Sequence, residues 1–201
     1  MKKVLAIIPA RSGSKGLKNK NIKLFAGKPL IYWTIKEAKK TKNITHLIVS
    51  TDSNKIARIA KKYKTDVPFL RPINISKDNS SSFEFLKHAI DFYKKKKITF
   101  DYIVLLEPTS PLRTSTDIDY CINYMKKNKL KSIISVCEVK SQHPTHLLKL
   151  GKNKNLILKK NKFIPRRQML EKFFYPDGSI YISEVNLLIK SKTFYNKETH
   201  A

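Results

Sequence analysis

The feature that most restricts this chain is an alternation between two hydrophobic periods. Residues 4–10, 46–51, 67–70, 102–107 and 132–139 are short, mainly apolar runs, of strand length and too brief for buried helices. Between them the pattern changes to a helical one. Residues 30–40 follow Pro29 at a first-turn position, and Ile56, Ala57, Ile59, Ala60 and Tyr63 share one face behind Ser53, a cap residue. Phe85, Leu86, Ala89, Ile90 and Tyr93 form another such face, and Ile118, Cys121, Ile122 and Met125 mark a fourth helix over 117–128. Strands and helices in turn predict an α/β fold, a mainly parallel sheet with helices on both faces and right-handed crossovers. A length of 201 residues suits a single domain, 1–201.

Composition narrows the function classes. No run approaches 18 apolar residues, and Met1-Lys2-Lys3 leads into a short apolar segment without a cleavage pattern, so the expectation is a cytoplasmic protein with no membrane partner. Cys121 and Cys137 have no metal-ligand spacing and read as buried thiols. The net charge of +27 raises the question of nucleic acid. The basic residues, however, are overwhelmingly lysines spread along the whole chain, which reads as a solvated surface and not as a nucleic-acid face. Against that background the arginines stand out. Arg11, Arg71, Arg113, Arg166 and Arg167 fall in loops beside Pro, Gly or Ser, and only Arg58 belongs to a helix pattern. A guanidinium is a planar bidentate fork that lysine cannot imitate, so these loops are candidate anion or ligand positions.

Parallel α/β sheets bind ligands beyond the carboxyl ends of their strands, where three loops converge. The first is IIPARSGSKGLKNKNI, residues 7–22, in which Gly13 and Gly16 permit positive φ and close approach while Arg11, Lys15 and Lys20 can surround a polyphosphate. It is neither a Walker loop nor a G-x-G-x-x-G fingerprint. The second is LLEPTSPLR, residues 105–113, with two prolines and an Arg113 able to face an anion. The third is RPINISKDNSSS, residues 71–82, whose Arg71 and hydroxyls suit a base or ribose, and whose Asp78 and serines also suit caps and turns.

Taken together, IIPARSGSKGLKNKNI, GKPLIYWTI, VSTDSNKIA, VPFLRP, LLEPTSPLR, RRQ and PDGSIYI resemble the acylneuraminate cytidylyltransferases, the CMP-sialic acid synthetases and their relatives, from residue 4 to about residue 200. The resemblance implies a Rossmann-like nucleotidyltransferase fold, Mg²⁺ as cofactor, a homodimer, and CTP and a nonulosonic acid as substrates. The anomeric hydroxyl of the sugar acid would attack the α-phosphate of CTP and expel pyrophosphate. Position by position, it implies that Arg11, Ser14, Lys15, Gly16, Lys20 and Asn21 line the CTP loop, with Arg11 and Lys20 nearest the phosphates and so catalytic. Arg71, Ser80 and Ser82 would contact the cytidine, and Glu107, Arg167, Gln168 and Tyr181 the sugar acid.

Three positions depart from the family pattern, each by adding an acid: Glu107 for a usual Gln, Glu171 for Pro and Asp177 for Asn. Residues 143–172 match the family's protruding dimerisation arm. Its stretch LLKLGKNKNLILKKNKFI reads independently as two short strands about a Gly-Lys-Asn turn. His143 and His146 have an i, i+3 spacing that Pro144 makes unhelical, which favours cap or solvated roles. The family usually continues into an Asp-Ile-Asp segment whose carboxylates bind Mg²⁺. Residues 1–201 contain none, so no metal ligand is assigned within the chain, and the expectation is CTP binding with slow or absent turnover. A nucleotide-binding but inactive relative, a CMP-octulosonate-type synthetase and a nucleic-acid-binding protein are the alternatives.

Overall fold

The computed structural model describes residues 2–13, 16–141, 143–157 and 170–201. In chain order, β1 (Val4–Pro9), the short pair β2 (Leu24–Phe25) and β3 (Lys28–Pro29), α1 (Leu30–Lys40), β4 (His46–Ser50), α2 (Asn54–Lys62) and α3 (Ser82–Lys95) come first. Then follow β5 (Tyr102–Leu105), α4 (Ser115–Lys127), β6 (Ser132–Glu138), β7 (Lys149–Leu150), β8 (Leu156–Ile157), β9 (Phe174–Glu184), α5 (Val185–Ser191) and β10 (Thr199–His200). The chain divides into a larger unit, Met1–Ser135 with Gly178–Ala201, and a smaller one, Val136–Asp177. Among the described residues no helix is long and apolar enough to cross a membrane.

One six-stranded sheet runs in the order β10-β6-β9-β5-β1-β4. β1 is its centre. Val4, Leu5, Ala6, Ile7 and Ile8 are all fully buried, a continuous run that only a strand covered on both faces can sustain. It pairs in parallel with β4 on one edge and β5 on the other, from Leu5 opposite His46 and from Val4 opposite Tyr102. Ile31, Ile35 and Ala38 of α1, Ile56 and Ala60 of α2, and Ile118, Ile122 and Met125 of α4 join the same buried cluster, which is the helical periodicity expressed as packing.

Two expectations need correction, and one strand was missed. Cys137 is exposed and Cys121 only partly buried, where both were expected as buried thiols. The run 67–70 is not a strand: isolated parallel bridges form just before it, Ile48 with Asp66, and at its end, Thr51 with Leu70, and Pro68 has no N–H, so the segment cannot sustain a ladder. Conversely β9 is antiparallel to β5, with Leu105 opposite Tyr181 and Tyr102 opposite Glu184. Pro176 and Gly178 interrupt its sequence and hide the strand period.

Caps set the helix starts. Ser53 Oγ accepts from Ile56 N–H at 3.4 Å, as its place before α2 predicts. The fourth helix begins at Ser115, two residues before the expected 117, because Thr114 and Asp117 form a reciprocal capping box: Thr114 Oγ1 accepts from Asp117 N–H at 3.2 Å, and Asp117 Oδ2 accepts from Thr114 N–H at 2.9 Å. Glu37 of α1 then joins the two helices by accepting from Ser115 N–H at 3.1 Å while pairing with Lys40 at 2.7 Å. Burial opposes ionisation of Glu37, but the Lys40 and Ser115 hydrogen bonds outweigh it and hold the carboxyl below its ordinary value.

In the smaller unit β7 and β8 form an antiparallel hairpin, closed by Gly151 N–H donating to Asn155 O at 2.8 Å, where the Gly-Lys-Asn turn was expected. His143 caps the following turn, its Nδ1 accepting from Thr145 N–H at 3.3 Å, and its Nε2 lies 2.9 Å from Glu171 O. Replacement of Thr114 by Ala removes one side of the α4 box, and the expected loss is about 1 kcal/mol of unfolding free energy in urea titrations. A midpoint unchanged from wild type contradicts the assigned cap.

Candidate active site

The sheet itself opens the cleft. On the β5 side, Leu106 N–H donates to Ile7 O at 3.0 Å, and the next rung of a parallel ladder would run from residue 9 N–H to Leu106 O. Residue 9 is a proline and has no such donor. Pairing with β4 continues through Pro9 opposite Ser50 and Ala10 N–H to Ser50 O at 2.9 Å, but β1 and β5 part. The chain also reverses direction here, since it leaves β1 for β4 and returns to β5 on the other side, which is a topological switch point. A cleft of about 720 Å³ lies at this point, with Pro9 in its wall.

The three loops singled out from the sequence converge on it. Arg11, Gly16, Lys20 and Asn21 enter from the loop after β1, Arg71, Lys77, Asp78 and Ser80 from the segment after Leu70, Ser82 from the start of α3, and Glu107 and Thr109 from beyond β5. The first loop is tied down by carboxylate and amide contacts. Ser12 donates its N–H to Asp52 Oδ1 and its hydroxyl to Asp52 Oδ2, both at 2.8 Å, and buried Asn21 donates through Nδ2 to Arg11 O at 3.1 Å. Left-handed backbone falls at Asn19, φ 57°, whereas Gly13 and Gly16 are not among the described positive-φ glycines. The Arg11 guanidinium reaches across the cleft mouth to Asp78, with Nη1 2.5 Å from Oδ1.

Arg71 is buried and serves as a brace in the wall. Its Nε donates to Ser50 Oγ at 3.1 Å and its Nη2 to Ser50 O at 2.6 Å, and its guanidinium stacks 4.5 Å above the Phe85 ring. Burial pushes its pKa down to about 10, with Asp52 opposing the change and Arg11 adding to it. Arg113, for which the loop position suggested an anion partner, braces the main chain. It is buried, and its Nη1 donates to Ser179 O at 2.6 Å and to Glu107 O at 3.3 Å, fastening the loop after β5 to β9.

A second pocket of about 250 Å³ shares Ser82 and Glu107 with the cleft. Tyr181 lines it together with Lys192, Thr193, Phe194 and Tyr195, and the Tyr195 hydroxyl lies 3.5 Å from that of Tyr181. Residues 192–195 went unnoticed in the sequence; the one available signal was the aromatic pair Phe194-Tyr195 in a polar stretch. Ser14, Lys15, Arg167 and Gln168 lie outside the described residues. Among the described residues no three His, Cys, Asp or Glu side chains gather as a metal cluster, so these residues alone do not build a Mg²⁺ cage.

Residues 5–200 match the family described as cytidylyltransferase. The chain belongs to that family. It is 35% identical to an N-acylneuraminate cytidylyltransferase of Escherichia coli over 97% of the chain, yet it spans only 45% of that enzyme's length. It is also 35% identical to a CMP-N,N'-diacetyllegionaminic acid synthase of Legionella pneumophila, covering 98% of the chain and 84% of the relative. A solved CMP:2-keto-3-deoxy-manno-octonic acid synthetase in complex with CTP superposes with a TM-score of 0.70 at 17% identity, covering 97% of this chain and 79% of that one, a likeness of fold.

Because Asp52 receives two hydrogen bonds from Ser12 through two oxygens, Asp52→Asn leaves only one acceptor oxygen. The Ser12 amide is expected to exchange faster in hydrogen-exchange measurements, with about 1 kcal/mol lost from overall stability. Unaltered exchange across residues 11–13 contradicts the tether.

Proposed function

We propose that the chain transfers CMP from CTP to a nonulosonic acid of the sialic type and releases pyrophosphate. The observation that carries this reading is the cleft at the β1/β5 switch point, where a member of the cytidylyltransferase family brings Arg11, Lys20, Arg71, Ser80 and Ser82 together from three separate loops. The triphosphate lies against Arg11, Gly16, Lys20 and Asn21, joined by Ser14 and Lys15, and the cytosine lies toward Arg71, Ser80 and Ser82. The sugar acid occupies the second pocket beside Tyr181 and Glu107; Arg167 and Gln168, which lie outside the described residues, are proposed as further sugar-acid residues on the family resemblance alone.

The chemistry asks for positioning and charge neutralisation more than for covalent catalysis. Arg11 already holds a carboxylate, that of Asp78, so a phosphate oxygen arriving in the cleft exchanges one anionic partner for another at the same guanidinium. Mg²⁺ is the proposed cofactor, and when bound it supplies further neutralisation of the phosphates.

The test is CTP-dependent and sugar-acid-dependent pyrophosphate release by the purified chain, with UTP as the control nucleotide. Arg11→Lys keeps the charge and loses the fork, and the expected fall in kcat/KM for CTP is about tenfold to a hundredfold. Wild-type kinetics in a folded Arg11→Lys variant remove Arg11 from the site.

We also propose that the chain works as a homodimer through residues 143–172. The support is the hairpin of the smaller unit, where Leu147, Leu150, Leu156 and Ile157 are all exposed, Leu150 by 64%. Leu150→Lys is expected to shift sedimentation from dimer toward monomer, and a variant that stays dimeric places the interface elsewhere.

A further inference from the structure

The lysines that run through the whole sequence are gathered by the fold. Helices of a parallel α/β sheet run back against the strands, so the carboxyl ends of α1, α2, α3 and α4 return to the amino edge of the sheet, opposite the cleft. Each of these helices ends on a pair of lysines, as Lys61 and Lys62 end α2 and Lys94 and Lys95 end α3. Contacts between the ends hold them at one edge. Lys39 Nζ of α1 donates to Lys64 O beyond α2 at 3.1 Å, Lys126 Nζ of α4 to Asn43 Oδ1 beyond α1 at 2.7 Å, and Asp101 N–H beyond α3 to Lys3 O before β1 at 2.9 Å. The helix dipole does not account for so much charge, because a helix end carries only about half a negative charge and one lysine covers it. After α2, α3 and α4 a further lysine, Lys64, Lys97 or Lys129, takes the left-handed position, with φ 54°, 60° and 53°, where glycine is the unstrained choice. Ion pairs of Lys2 with Asp101, Lys40 with Glu37 and Lys131 with Glu198 neutralise part of the edge, and its other lysines make no ion pair among the described residues.

We propose that this edge docks the chain on an anionic lipid bilayer, independently of the reaction at the cleft. The expectation of no membrane partner concerns spanning segments, which a peripheral contact does not need. Charge complementarity favours a plane. Six strands at about 4.8 Å make an edge roughly 25 Å wide, and a fluid layer of headgroups can bring a phosphate to every lysine along it. A nucleic-acid face would offer forks and stacking platforms. No arginine stands in the last turns of α1–α4 or just after them, and the rings of His46, Tyr93 and Phe100 at this edge pack on one another at 4.9–5.8 Å. None of the large exposed apolar side chains falls in residues 39–46, 61–66, 94–101 or 126–131, so the contact is electrostatic and reversible, without insertion. Docked by its amino edge, the sheet keeps the cleft at its carboxyl edge turned to solvent.

The experiment is co-sedimentation of the full chain with vesicles of phosphatidylcholine alone or mixed in equal parts with phosphatidylglycerol. Binding is expected to the mixed vesicles only, and to weaken as salt is raised. Two variants of identical net charge then separate the edge from the overall charge. Lys62→Gln, Lys95→Gln, Lys97→Gln and Lys127→Gln together strip the amino edge, whereas Lys23→Gln, Lys28→Gln, Lys55→Gln and Lys190→Gln together remove exposed lysines elsewhere. The first variant is expected to lose about a hundredfold in partition coefficient and the second less than about threefold. Equal losses in the two assign the attraction to net charge and overturn the proposal, as does a wild type that ignores phosphatidylglycerol. A duplex oligonucleotide that displaces the chain from the mixed vesicles at equal phosphate concentration makes the partner a nucleic acid and overturns the membrane assignment.

Discussion

The structure depends on β1 being paired on both edges and covered on both faces. A run of fully buried residues from Val4 to Ile8 fits an interior strand covered on both faces, and β4 and β5 are its parallel neighbours. Pro9 then ends the ladder on one edge only. Because the imino nitrogen cannot donate to Leu106, the two strands separate on the β5 side while the β4 side stays joined through Ala10 and Ser50. The cleft is the consequence of that asymmetry. Every loop that enters it does so from β1, from β5, or from the bridge that joins Leu70 to the end of β4.

Within the cleft the division of labour between lysine and arginine is physical. Lysines supply the excess charge of the surface, where strongly hydrated point charges cost nothing to keep in water. Arginine appears where a planar fork has two things to hold. Arg71 and Arg113 use their forks on main-chain oxygens of Ser50, Ser179 and Glu107, bracing the walls, and Arg11 turns its fork toward the carboxylate of Asp78. Carboxylates placed in so basic a chain have an equally local purpose. Asp52 fastens the first loop through Ser12, and Asp78 occupies Arg11.

Much of the fold was legible because its signals are local. The strands around 4–9, 46–50, 102–105 and 132–138 and the helices between them follow from periodicity, and the starts of α1 and α2 from Pro29 and Ser53. The expected strand at 67–70 failed at Pro68, whose missing donor outweighs the apolar character of Val67, Phe69 and Leu70. β9 was illegible for the opposite reason: Pro176 and Gly178 break its pattern, while its pairing with β5 comes from residues more than seventy positions away. The main-chain contacts of Arg113 were illegible because its partners at Glu107 and Ser179 belong to different segments, and a loop position says nothing of burial.

By itself the sequence determined the α/β class, the family, and which three loops gather at the carboxyl edge of the sheet. Those are properties of short stretches: side-chain period, caps, and residues whose backbone chemistry is peculiar to them, such as Pro9. The tertiary structure alone decided that Arg71 is spent on Ser50, that Arg11 faces Asp78, and that Glu107 borders two pockets at once. Each is a meeting of groups far apart along the chain. Such meetings depend on where the strands end relative to one another, and no local pattern records that.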